Sequence, residues 1–163
     1  MRGGFNLKID LGFAGLLLTM AAGATNDNLV KTAFVVAITA LSWDLFGLDP
    51  VVLANIAALC FILPFVLFAG FAAFKANKQP PKQWLFTLKL IELVIALIAC
   101  FAIANQIGWI LLICVAGFGI QSALIGPLKY ALIPRLSNSS KILGRNAWME
   151  TATFIAILAG TIL

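Results

Sequence analysis

The sequence predicts an all-α membrane protein of about five transmembrane helices, and three observations carry that prediction. Of 163 residues, 63% are hydrophobic and 10% are charged, against roughly 25% charged in a soluble domain; mean hydropathy is +1.07. The apolar residues fall into runs close to the ~20 needed to cross a hydrocarbon core as a helix. The basic residues gather in alternate connections between those runs, the pattern of loops on the cytoplasmic side. The net charge of +5 therefore reads as a membrane signature. Membrane lipids are the expected surroundings, and no nucleic-acid partner is expected.

The first span runs from about residue 11 to 41. At ~1.5 Å per residue it is longer than a bilayer is thick, so tilt or a break near Asn26-Asp27-Asn28 is expected. Thr25, Asn26, Asp27 and Asn28, with Lys31 one turn on, interrupt this apolar run. Each ionised group costs at least ~2.5–3.5 kcal/mol at a bilayer centre, so the cluster is the leading site candidate. Asp27 falls near the midplane. Lys31 follows at i+4, the better order for a helical ion pair. Thr25, Asn28 and Thr32 are expected to extend a polar stripe beside it. Two readings follow: a cavity-lining face that binds a polar head group or a coupling cation such as sodium or a proton, or a self-neutralised pair that fixes packing. Asn-Asp-Asn is a poor helix former, which favours the first reading and local unwinding.

The second span covers about 51–74, with Pro64 inside it and Ala69 and Ala73 as a close-contact pair. The third covers about 84–104. Near its inner end Lys89 and Glu92 stand at i,i+3, a gate or a structural ion pair. The fourth covers about 109–133, with Gly119 and Ala123 as a second small-residue pair, Gly126-Pro127 as a kink candidate and Lys129 near its inner end. The fifth covers about 146–163. Its Glu150 lies at a depth similar to Lys129, so the two are expected to approach across the helices. The run is still apolar at Leu163, which suggests a truncated chain, with a genuine short product as the alternative.

Positive residues place Met1–Asp10 (Arg2, Lys8), Lys75–Gln83 and Arg135–Arg145 on the cytoplasmic side, and hence the N-terminus there. Trp43 and Trp109 fall at outer ends, Trp84 and Trp148 at inner ends, as an aromatic belt requires. Cys60, Cys100 and Cys114 read as buried small hydrophobes. The chain contains no histidine, and no metal-ligand spacing, phosphate loop or nucleophile elbow is visible; no cofactor and no enzymatic activity are expected. No cleavable signal peptide is expected either. A gapped internal echo links Ala22-Gly23, Asn26-Asp27 and Lys31-Thr32-Ala33 in the first span to Ala116-Gly117, Gln121-Ser122 and Lys129-Tyr130-Ala131 in the fourth. Transporters built from three-helix repeats place those spans in equivalent positions.

Several strings resemble the bacterial lysophospholipid transporter family of the major facilitator superfamily. They are Gly23-Ala24-Thr25-Asn26-Asp27-Asn28-Leu29-Val30-Lys31-Thr32-Ala33-Phe34, Phe61-Ile62-Leu63-Pro64-Phe65, Lys89-Leu90-Ile91-Glu92, the segment from Gln121 to Tyr130 with Pro134, and Gly144-Arg145-Asn146-Ala147 with Glu150 and Thr153-Phe154. They cover nearly the whole chain in the right order. The segment from Gln121 to Tyr130 is the most specific. The resemblance implies part of a six-helix half of a twelve-helix, inner-membrane, multi-pass transporter that moves lysophospholipids by alternating access. It also implies a C-terminal half as partner and, in some relatives, a fusion to acyltransferase domains. Asp27, Asn28 and Lys31 would line the pathway, and Glu92, Lys129 and Glu150 would sit in the inner gate. The alternatives are a transporter of another small solute on the same scaffold, or a non-transporting membrane fragment that needs a partner half. One departure stands out: the superfamily places an aspartate in the loop after the second helix where this chain has Phe74, so the acidic member of that cytoplasmic latch is absent.

Overall fold

A computed structural model describes residues 11–78, 80–136 and 139–163; the basic segment Met1–Asp10 lies outside them. Five long helices follow one another: α1 Leu11–Thr39, α2 Pro50–Lys78, α3 Pro81–Ala104, α4 Gly108–Leu132 and α5 Ile142–Ile162. Two short 3₁₀ turns, Pro134–Leu136 and Ser139–Lys141, join α4 to α5. The described residues contain no strand.

Local chemistry accounts for several boundaries. Asp49 accepts a hydrogen bond from the Val51 N–H at 2.8 Å, and Pro50 supplies the first-turn position where a missing N–H costs nothing. Pro81 does the same for α3. Gln106, at φ 57°, turns the chain between α3 and α4. Two starts differ from the sequence reading. Helix α3 begins three residues earlier than Trp84, at that proline, and α5 begins at Ile142, four residues before Asn146. Helix α1 is continuous through Asn26-Asp27-Asn28, which corrects the expected break or unwinding. The Asn28 amide donates back to the Ala24 carbonyl at 2.8 Å, and contacts with α4 and α5 outweigh the weak intrinsic propensity of the string. Pro64 and Pro127 are likewise held inside unbroken helices.

Order in the chain is not order in space. Helix α4 is the central post, packed against α2, α3 and α1, while α1 pairs chiefly with α5. The consecutive pair α2 and α3 scarcely touch. Glycines mark the closest approaches. A Cβ on Gly119 would stand 2.5 Å from the Phe61 carbonyl oxygen on α2, and one on Gly160 would collide with the Thr25 carbonyl on α1. Gly119 is thus at a contact that the sequence indicated. Ala69 and Ala73 instead face outward, because the small-residue surface of α2 that meets α4 lies on its other side.

Two apolar cores sit at opposite ends of the bundle. One joins Phe34 and Ile38 to Leu53, Leu111 and Phe118, with Trp43 against it. The other joins Phe13 and Met20 to Leu88, Leu128, Ile133 and Met149, with Trp84 against it. Between them lie the buried polar side chains Asp27, Asn28, Glu92 and Gln121. The outer faces of α2, α3 and α5 expose large apolar residues such as Val66, Leu97 and Leu158, a surface suited to lipid. Among the described residues three helices are long and apolar enough to cross a membrane: α2, α3, and the span Gly108–Leu136 containing α4. Helices α1 and α5 match them in form but carry the polar residues that lower their hydropathy. Cys114 is buried as expected, whereas Cys60 on α2 is half-buried and Cys100 faces outward, since α3 exposes most of its surface.

Candidate functional site

A cavity of about 780 Å³ opens at the level of the polar layer, bounded by all five helices. Its wall is mostly apolar, with Met20, Phe61, Ile62, Phe65 and Ile157 among the lining residues. Its charged lining residues are Asp27, Lys31, Lys89, Glu92 and Lys129.

Helix α1 supplies the first group. With 3.6 residues per turn, Asp27, Asn28 and Lys31 share one face with Ala24, and all four line the cavity. Thr25 and Asn26 are rotated away by ~100–200° and do not line it, which corrects their expected place in the pathway. The Thr25 hydroxyl instead donates to the Ala156 carbonyl on α5 at 3.2 Å. Asp27 and Lys31 do not pair with each other, a second correction. Asp27, 5% exposed, turns toward α4 and accepts a short hydrogen bond from the Ser122 hydroxyl on Oδ2. Its other oxygen, Oδ1, is buried and has no hydrogen-bond partner. Lys31 donates to Asn28 Oδ1 at 2.8 Å, and its ammonium lies 5.2 Å from the centre of the Phe61 ring on α2, a cation–π contact.

Helices α3 and α4 supply the second group. Lys89 and Glu92 form an ion pair at 2.6 Å. The same Glu92 oxygen accepts from Gln121 Nε2 on α4 at 2.6 Å. The pair rests against Gly23 of α1, where a Cβ would stand 2.5 Å from Lys89 Nζ. The sequence does not by itself single out Gln121, Ser122 or Gly23 as site residues. The signal it does hold is the internal echo that aligns Gln121-Ser122 with Asn26-Asp27; the structure brings these two polar segments face to face.

The third group lies at the lower end. Lys129 approaches Glu150 to 2.8 Å across α4 and α5, and the Tyr130 hydroxyl donates to the same carboxylate oxygen at 2.7 Å. Nearby, Arg145 donates to the Leu136 carbonyl and lies 4.8 Å from the Phe13 ring, tying the α4–α5 connection to α1. At the end of α2, the Lys75 ammonium lies 5.7 Å from the Phe71 ring and 5.9 Å from the Trp84 ring. An aromatic clasp thus stands next to Phe74.

Among the described residues, no cluster of His, Cys, Asp and Glu could hold a metal ion. The ion pairs found among them are Lys89–Glu92 and Lys129–Glu150; Asp27 and Lys31 belong to neither. Lys31 thus lines the cavity without a carboxylate partner, and Asp27 beside it keeps one buried oxygen, Oδ1, without a hydrogen bond.

The described helices thus form a membrane-type bundle around a charged, apolar-walled cavity. The chain is similar to curated proteins named lysophospholipid transporter LplT. It is 29% identical to that of Enterobacter sp. strain 638 over 107 residues, 66% of this chain and 25% of the relative. It is 26% identical to that of Photorhabdus laumondii over 107 residues, again 66% and 25%. With the protein of Escherichia coli K12 the identity is 26% over 153 residues, 85% of this chain and 37% of the relative. The chain thus spans between a quarter and two fifths of the length of these relatives. No family model and no solved structure matches it.

Proposed function

We propose that the chain forms part of a secondary transporter that carries lysophospholipids across the bacterial inner membrane by alternating access. The observation that carries this reading is the pair of opposite charges on one face of α1, inside a largely apolar cavity. A zwitterionic head group meets both needs. Its ammonium pairs with the Asp27 carboxylate, and its phosphate takes the Lys31 ammonium. The single acyl chain then lies along Phe61, Ile62 and Phe65. The names of the relatives support the substrate class.

On this reading the N-terminus faces the cytoplasm, since Lys75, Lys78, Lys82, Arg135, Lys141 and Arg145 cluster at one end of the bundle. The Lys129–Glu150 and Lys89–Glu92 pairs form the inner gate. A second set of helices, in keeping with the greater length of the relatives, closes the open side of the cavity. A proton or sodium ion drives the cycle through Asp27.

Uptake of labelled lysophosphatidylethanolamine into vesicles carrying the full protein tests this. Asp27→Asn and Lys31→Gln each remove one charged hydrogen bond worth ~1.5–3 kcal/mol. Each is expected to slow uptake by ~10- to 100-fold. Undiminished uptake in either variant removes that residue from the head-group site.

A further inference from the structure

We propose that Ser122 and Gln121 are positioning residues that couple the Asp27 carboxylate to the Lys89–Glu92 pair, so that a change of charge at Asp27 is felt at Glu92. The inference deepens the head-group reading and rests on it for its role in transport. A chain of contacts crosses three helices. Ser122 meets Asp27 Oδ2, the Ser122 hydroxyl lies 3.3 Å from Gln121 Oε1, and Gln121 Nε2 lies 2.6 Å from Glu92 Oε2. Gln121 is 1% exposed, and Ser122 beside it is half-buried at the cavity wall.

Donor counting gives the chain two states. A serine hydroxyl has one proton to donate. With Asp27 ionised and its site empty, that proton goes to Asp27, and Gln121 Oε1 is left without a donor in a buried place. With Asp27 neutral, or replaced by an amide, the group at position 27 donates to Ser122. The Ser122 proton then turns to Gln121 Oε1, and the hydrogen bonds run in one direction from position 27 to Glu92. A docked ammonium favours the ionised state by pairing with the carboxylate. The charged groups facing Asp27 are Lys31 on α1 and Lys89 and Glu92 on α3, with Lys129 further along α4; α2 and α5 line the cavity with uncharged residues.

The test is a double-mutant cycle on the purified full chain in detergent, read as thermal unfolding midpoints without lipid. Asp27→Asn and Glu92→Gln are made singly and together in three backgrounds: unchanged, Ser122→Ala and Ser122→Thr. The midpoint shifts are expected to be non-additive by ~2–4 °C in the unchanged background. They should become additive within ~1 °C in Ser122→Ala, and non-additive again in Ser122→Thr, which restores the hydroxyl. Direct repulsion between the two carboxylates would survive Ser122→Ala, so that background separates the relay from through-space coupling. Gln121→Met, which deletes the amide and keeps the volume, is the second way to break the chain should Ser122→Ala fail to fold. Additivity in the unchanged background, or coupling that persists in both broken ones, overturns the proposal. Because no lipid enters the cycle, its outcome stands even if uptake assays defeat the lysophospholipid reading.

Discussion

At the scale of the residue, a side chain that is absent can matter as much as one that is present. Gly23 leaves room on α1 for the Lys89 ammonium and the Glu92 carboxylate. Gly23→Ala is expected to push Lys89 aside, at a cost of ~1–3 kcal/mol typical of overfilling a tight site. Uptake should fall, and so should the unfolding midpoint. Gly15→Ala, where a Cβ meets nothing within 4 Å, should change neither. Legibility in the sequence follows the cost of burial. Asp27, Lys31, Glu92 and Lys129 stand out because a charge in an apolar run is expensive. Gln121, Ser122 and Gly23 do not, because neutral or small residues are common in membrane helices and reveal their use only through a neighbour. Thr25 and Asn26 mislead because proximity in the chain is a poor guide to shared helical face; the angular step of ~100° per residue decides it.

At the scale of the element, run length and the Pro-rich and Trp-marked connections make all five helices legible to within a few residues at most ends. Which helices pair is not legible. The pairings α2 with α4 and α1 with α5 rest on Gly119 and Gly160. Ala156 and Gly160 form a small-residue repeat that the sequence displays but that looks like any other. Gly160→Leu should force α1 and α5 apart at the Thr25 carbonyl, costing the Thr25–Ala156 hydrogen bond as well. The unfolding midpoint in detergent is expected to drop by several degrees, the ~2–4 °C per kcal/mol of a chain this size. Gly70→Leu, in open space on α2, is the control and should leave it within ~1 °C.

At the scale of the whole molecule, basic residues mark one end of the bundle, and the connections at the other end carry Asp44 and Asp49 with no lysine or arginine. In a background with Cys60, Cys100 and Cys114 replaced by serine, Lys78→Cys should react with a membrane-impermeant maleimide only after cells are permeabilised, and Asp44→Cys in intact cells. The reverse pattern would invert the topology. The arrangement of two dry cores around a polar layer has a further consequence for biogenesis. Among the described helices α1 is made before the others, yet it carries Asp27, whose hydrogen-bond donor, Ser122, is synthesised three helices later. Its mate α5 follows the other four of these helices. Helix α1 is therefore poorly suited to enter lipid alone, and it settles into its final place only when the later helices arrive to receive it.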